Sequence, residues 1–349
     1  MNKLVDFTNC TELKWGGYNG ANGLKKSIIY NNKIQMLKVP KTDYEENNGA
    51  INEYICCHIY ESIGIKTQKT ILGTYTIDGK TYFAVACEDF ILNEKTRTLD
   101  LKDFASFKNQ VVHSTQNGYG TELEDVENTI NSFEMMSSAE IKEHFWNMFI
   151  VDALLGNFDR HNGNWGFIVD RDTHKVEIAP VYDCASCLYP KLPEITMQEY
   201  MNDEELKGIN ERIYVFPTSA LKSNGVKINY YDFINSMQNE DCNKALLRIM
   251  PQISMEKINQ IIDETPAISD IRKNFYKTML QKRYEKILEP AYQKVISKNN
   301  NKLSEERSIT DKTDIENDLS LEELQELLDD RNTYDNEYEQ NDFEEDIDI

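Results

Sequence analysis

Residues 154–170 read LLGNFDRHNGNWGFIVD, and this stretch constrains the fold more than any other. The apolar helix leading into it has to stop at Gly156-Asn157, because glycine reaches the left-handed backbone that closes helices and Asn favours turns. A second apolar run, WGFIV, then starts over as a strand. Between them Asp159, Arg160, His161 and the amides of Asn157, Asn162 and Asn164 crowd into one sharp bend. Charged and amide groups are costly to gather in one place unless they bind or react with something. The chain therefore sets a chemistry-bearing loop between a helix and a β-hairpin.

The elements on either side follow from periodicity. Upstream, SSAEIKEHFWNMFIVDALLGN opens on a capping signal, Ser137 or Ser138 followed by Glu140, and carries a wide apolar face. Its aromatics fall at helical spacing and read as core. Downstream, WGFIVDRDTHKVEIAPVYD reads as a hairpin turning within DRDTHK. Residues 1–95 read as short strands around one helix. KSIIYNNKIQMLKVP is a hairpin with an Asn-Asn turn, and KTILGTYTIDGKTYFAVACEDF a second, turning at Asp78-Gly79. Ile51, Ile55, Ile59 and Ile63 mark the helix, which ends at Gly64. Residues 96–295 read as mainly helical, with helices expected at about 229–250, 254–264 and 268–297. A β-rich front and a helical back make an α+β chain.

Three further features bear on chemistry. WGGYNGANGLKKS places Gly16, Gly17, Gly20 and Gly23 just before a strand, with Lys25 and Lys26 after them. Glycines let backbone N–H groups approach a polyphosphate, although a loop of this composition is also a plain connection. No Gly-Lys-Ser/Thr closes it, so it is not a Walker loop. Lys38 ends an apolar strand, either as an edge solubiliser or as a cation over phosphate. Glu53 is expected to open the helix that follows, either as a dipole-favoured acid or as the partner that orients Lys38.

Asp159 and Asn164 are five apart, and Asp183 closes the far arm of the hairpin. Such an Asp can accept a hydroxyl proton while the Asn oxygen and the second carboxylate reach Mg²⁺, the set that phosphoryl transfer uses. The plain alternative is an Asx-turn with capping roles. Arg160 can hold the loop or neutralise phosphate, and His161 can brace it by hydrogen bonds. Cys184 and Cys187 form a C-x-x-C without a second ligand pair, so small buried residues fit better than zinc ligands. His58, His113, His144 and His174 show no partner pattern.

Charge and composition narrow the class. Of a net −22, residues 301–349 carry −15 through 19 acidic and 4 basic side chains, leaving −7 for the first 300. No dense basic patch exists, which argues against nucleic acid as the main ligand. The start, MNKLVDFTNC, has no apolar h-region, and the longest apolar run is interrupted by Asn147 and Asp152, so neither a secretory signal nor a membrane span is expected. Seven irregularly spaced Cys suit reduced thiols in the cytoplasm. The tail from about 298 begins KNNNK, and SLEELQELLDD within it has an amphipathic pattern. It reads as a disordered solvating segment, or as a helix on which a regulator docks.

GNFDRHNGN followed by IAPVYD resembles the HipA-like serine/threonine kinases. WGGYNGANGLKKSIIYNNKIQMLKVP and NEYICCHIYESIGIKTQKTILGTY bring it nearer to their shorter, single-chain CtkA-type branch. The resemblance covers about residues 10–290 and leaves the acidic tail out. It implies a bacterial kinase with a bilobal protein-kinase-like fold: a small β-rich N-lobe over 1–90, a mostly helical C-lobe over 91–297, and the tail over 298–349. It implies ATP and Mg²⁺ as cofactors and a Ser or Thr of a protein as acceptor. Carried over by motif, Asp159 contacts the acceptor hydroxyl, Asn164 and Asp183 hold the metal, and Lys38 contacts ATP phosphates. The backbone of Glu88 and Phe90 in CEDF would meet adenine. HipA proper has a regulatory serine just before its glycine loop, where this chain has ELKW. The order Asp-Arg-His is shared with phosphoinositide kinases, which makes a lipid kinase the enzymatic alternative. The acidic core favours a protein substrate. A nucleotide-binding pseudokinase or a toxin-system regulator is the non-enzymatic alternative.

Overall fold

Two Asn-rich and Gly-rich turns set up the first half of the molecule. In the computed structural model, which describes residues 4–14, 23–40, 47–94, 98–112 and 117–301, Asn31 and Asn32 both adopt left-handed backbone, with φ of 49° and 59°. That is the two-residue turn whose twist matches paired strands, and it joins β3 (Leu24–Tyr30) to β4 (Lys33–Val39). Asp78 and Gly79 do the same between β5 (Thr70–Ile77) and β6 (Lys80–Glu88). With β1 (Val5–Asp6) and β2 (Thr11–Glu12) these strands make a six-stranded sheet, ordered β1-β5-β6-β4-β3-β2. β1 runs parallel to β5, and Gly73 makes that approach possible: a Cβ there would lie 2.1 Å from the Val5 carbonyl oxygen.

One side of the sheet buries Phe7, Ile28, Leu37, Val39, Ala84 and Ala86. Val85 and Cys87, which alternate with Ala84 and Ala86 along β6, pack with Ala50 of α1 (Gly49–Ser62). The helix starts four residues before Glu53. That corrects the expectation that Glu53 opens it: Glu53 sits in the second turn and is fully buried, so the helix dipole does not explain it.

The second half is mainly helical, as the periodicity predicts, but its edges differ. β7 (Leu99–Asp103) pairs antiparallel with β8 (Gly166–Asp170), which pairs with β9 (Val176–Ile178). The expected hairpin is thus the core of a three-stranded sheet. Two short helices follow β7, α2 (Phe104–Val112) and α3 (Leu123–Asn131). Then comes α4 (Ser138–Leu155), which Gly156 ends with φ of 67°. Its last three turns are buried almost all round, further than one wide apolar face requires.

α5 (Glu194–Asn202), α6 (Lys207–Tyr214) and a short hairpin of β10 (Lys222–Ser223) and β11 (Val226–Lys227) come next. The single helix expected at 229–250 is two, α7 (Tyr230–Ser236) and α8 (Glu240–Ile249). Met237 turns left-handed, and Asn239 caps the new start by accepting from the Cys242 N–H at 2.9 Å. α9 (Met255–Glu264) and α10 (Asp270–Arg283) complete the set, α10 running on through a π-helical turn at Tyr284–Leu288.

The architecture is bilobal, a β-rich lobe followed by a mainly helical lobe, as the resemblance implies. The described residues up to 293 form one compact unit, and 294–301, which fall outside it, are helical. The glycines at 16, 17 and 20, and the amphipathic stretch of the acidic tail, lie outside the described residues. Among the described residues, no helix is long and apolar enough to cross a membrane.

Candidate active site

The bend after α4 is built on a buried carboxylate. Asp152, three residues before the helix ends, is 1% exposed. Arg160 reaches back to it with Nε at 2.9 Å and Nη2 at 3.3 Å. The Asn157 amide donates to it at 2.8 Å, and the Tyr60 hydroxyl of α1 at 2.7 Å. Arg160 spends its remaining donors on the carbonyls of Asn164 and Tyr182 and on the Cys184 sulfur. It is buried, so of its two expected roles the geometry gives it loop-holding.

The loop is then fixed residue by residue. Asn157 Oδ1 accepts from the Asp159 N–H at 3.0 Å. Asn162 donates to the carbonyls of Gly118 and Gly120. His161 Nδ1 accepts from the Gly163 N–H at 3.0 Å, the bracing role foreseen for it. Asn164 donates its amide N–H to the Asp159 carbonyl at 2.8 Å, which turns its Oδ1 the other way. Asp159 is left with its carboxylate in the cleft.

The second cluster crosses from sheet to hairpin. Lys38 Nζ lies 3.1 Å from Glu53 Oε2 and 3.0 Å from Asp183 Oδ1. Three sequence-distant candidates thus meet at one ammonium. Burial opposes the charge on Lys38, but Asp183 and Glu53 more than offset it and raise its pKa well above the usual lysine value. Lys38 in turn holds the Asp183 carboxyl down to about 2. Burial raises Glu53, with Lys38 working against it. Among the described residues, neither Glu53 oxygen accepts a hydrogen bond with good geometry, so Lys38 is its counter-charge. Asp183 adopts left-handed backbone, φ 58°, and the residues before it are tied to the β-rich lobe: the Gln68 N–H donates to Val181 O, and the Val181 N–H to Lys66 O.

Both clusters open on one cleft of 1430 Å³, lined by Gly23, Lys25, Lys38, Phe90, Asp159, His161, Asn164 and Asp183 among others. Lys26 is turned away and pairs with Glu12 at 2.7 Å. Glu88 also stays outside the lining. Its N–H donates to Lys69 O and its carbonyl accepts from Gln68 Nε2, so its backbone polar groups are engaged within the protein. Phe90 does border the cleft, 6.4 Å from the ring of Tyr182.

Asn164 and Asp183 offer one amide oxygen and one carboxylate, hard donors that suit Mg²⁺ shared with phosphate oxygens. Among the described residues, no cluster of three or more His, Cys, Asp or Glu could hold a metal by itself. Cys184 and Cys187 are both fully buried, as the bland reading of C-x-x-C expects.

Sequence reasoning missed Asp152, Tyr60, Asn52 and Ser186. Asp152 had left a signal, a carboxylate inside an otherwise apolar run. Asn52 is fully buried, donates to the Cys187 carbonyl at 2.7 Å and accepts from the Tyr276 hydroxyl at 2.7 Å.

Residues 27–271 match the family described as HipA-like C-terminal domain. Among curated proteins, the chain is 44% identical over 298 residues to the serine/threonine-protein kinase CtkA of Helicobacter pylori, covering 84% of this chain and 89% of that one. Among solved structures, it superimposes on the crystal structure of a Helicobacter pylori proinflammatory kinase CtkA with a TM-score of 0.78 and 43% identity. That match covers 84% of this chain and 98% of the other.

Proposed function

The chain belongs to the HipA-like C-terminal domain family and is a serine/threonine-protein kinase of it, and from that premise we propose that it moves the γ-phosphoryl group of ATP to a Ser or Thr hydroxyl of a protein. The observation that carries this reading is the meeting of Lys38 with Glu53 and Asp183 in the cleft that also holds Asp159 and Asn164. Lys38 is kept charged and aimed by Glu53, so it meets phosphate oxygens as a fixed cation. Lys25 adds a second charge at the same wall of the cleft. Asn164 and Asp183 would hold Mg²⁺, which supplies charge neutralisation on the phosphates when bound. Phe90 and the residues beside it border the wall where the adenine would lie.

Asp159 accepts the proton of the acceptor hydroxyl as the oxygen attacks phosphorus. The Asp152–Arg160 pair holds that loop in register, so catalysis depends on geometry set before any substrate arrives. The acceptor is taken to be a protein with basic flanks, since the first 300 residues are net acidic. The acidic tail would serve as a solvating segment or as a docking segment for a regulator.

The test is transfer of labelled γ-phosphate from Mg-ATP to the protein itself and to a basic protein acceptor. Asp159→Asn is expected to lower transfer by roughly 10²–10⁴-fold, the range for losing a general base, while nucleotide still binds. Full activity in that variant removes Asp159 from the role. Label on phosphoinositide vesicles and on no protein favours a lipid acceptor instead.

A further inference from the structure

Between Asp183 and Pro190 the chain makes a short, tightly pinned excursion into the cleft. It is bounded by left-handed backbone at Asp183 on one side and at Leu188 and Tyr189 on the other, with φ of 58°, 52° and 55°. Cys184 and Cys187 are its buried anchors, and the Cys187 N–H donates to Cys184 O at 3.2 Å, closing a turn. α1 and the Asn48 that precedes it clamp the far end: the Asn52 amide donates to Cys187 O at 2.7 Å, and the Asn48 N–H to Pro190 O at 2.9 Å. Only Ala185 and Ser186 lie between the anchors, and both line the cleft. The Ser186 hydroxyl donates to Asp159 Oδ2 at 3.4 Å. Among the described residues, no other side chain bonds to that carboxylate.

We propose that Ser186 is a positioning residue for phosphoryl transfer: it holds one oxygen of the Asp159 carboxylate and so presents the other to the acceptor hydroxyl. The proposal rests on the reading of Asp159 as proton acceptor. A carboxylate turns freely about its last torsion, which has broad wells. A donor fixed on an independently anchored segment removes that freedom before substrate binds. The contact is long for an O–H···O bond, and catalytic hydrogen bonds commonly tighten when substrates bind. Ser186 keeps its proton throughout, and the acceptor's proton goes to the oxygen of Asp159 that Ser186 does not occupy.

The test compares wild type, Ser186→Ala, Ser186→Thr, Asp159→Asn and the Ser186→Ala/Asp159→Asn pair, with Mg-ATP and a basic protein acceptor. Ser186→Ala is expected to lower kcat roughly tenfold, the worth of one hydrogen bond to a charged group. The KM for ATP and the melting temperature stay where they were. Ser186→Thr, which keeps the hydroxyl, restores most of kcat, and the double variant is no slower than Asp159→Asn alone. An unchanged kcat in Ser186→Ala overturns the proposal. So does a loss that appears as a raised KM for ATP or a lowered melting temperature, since that is loop packing. Phosphate found on Ser186 by mass spectrometry after incubation with Mg-ATP overturns it as well, because a phosphorylated serine has no hydroxyl proton left to donate to the carboxylate. Activity retained in Asp159→Asn defeats the reading of the site itself, whatever Ser186→Ala does.

Discussion

Lys38→Met does more than remove a phosphate contact, because it strands Glu53. The Glu53 carboxylate is fully buried, accepts no well-formed hydrogen bond among the described residues, and has Lys38 at 3.1 Å as its counter-charge. Asp183, the other partner of Lys38, is about a third exposed and falls back on water. The cost therefore collects on Glu53. Breaking a buried pair by removing one partner costs about 3–5 kcal/mol. Proton uptake sets a ceiling on that loss. With an unfolded-state pKa of about 4.3 and about 1.36 kcal/mol per pH unit, neutralising Glu53 at about pH 7 limits its share of the loss to roughly 3.7 kcal/mol.

The sign of the pH dependence follows. In the variant the folded Glu53 holds a proton that the unfolded chain has released, so the folded state binds more protons. Stability then falls as pH rises, at about 1.4 kcal/mol per unit above the unfolded pKa. The gap to wild type should be widest near neutral pH and narrow on acidification until the pH reaches the raised pKa that burial already gives Glu53 in the wild type. Urea unfolding of both proteins between about pH 7 and pH 5 reads it directly. Lys38→Met/Glu53→Met should recover most of the loss, since it removes the buried charge outright. A gap under about 1 kcal/mol at neutral pH, or one that does not narrow on acidification, refutes the reasoning. An inactive Lys38→Met protein is accordingly a poor control unless its folding has been checked.

Two other perturbations probe the scaffold. Asp152→Asn leaves the buried Arg160 without its carboxylate, and should cost about 3–5 kcal/mol in urea unfolding and lower activity with it, although Asp152 touches no substrate. Asn52→Ala takes the acceptor from the Tyr276 O–H and the donor from the Cys187 carbonyl, which should cost about 2–4 kcal/mol. Its kcat should fall further than its melting temperature alone would explain, because the segment carrying Asp183 and Ser186 loses its clamp. Wild-type kcat in Asn52→Ala contradicts that coupling.

What could be read from the chain was what local chemistry fixes. Asn31-Asn32 and Asp78-Gly79 admit few alternatives to tight hairpin turns, and both hairpins formed where they were expected. Gly156 ends α4, and the spacing of Asp159, Asn164 and Asp183 survives folding because one loop and one hairpin connect them. What could not be read was partnership at long range. Nothing near Tyr60 announces that it will meet Asp152, 92 residues on, and no pattern around Asn52 points to Tyr276, 224 residues away. Glu53 was misplaced because an acid near a helix start is ordinary on the surface, and burial is decided by the sheet above it. β7 reads LDLKD, three charges in five residues, and is a strand only because β8 offers it an edge. The break between α7 and α8 was lost because Met237 gives no hint of left-handed backbone.

The tethers on α1 bear on how the molecule comes apart. The helix belongs to the β-rich lobe by its packing, yet Tyr60, Asn52 and Asn48 each spend a hydrogen bond on the helical lobe. Two of the three bonds are buried, so neither lobe can unfold without leaving polar groups of the other dry and unpaired. Residues 1–293 should therefore melt in one cooperative transition. A cut at the lobe junction would then yield two aggregating fragments in place of two small stable domains.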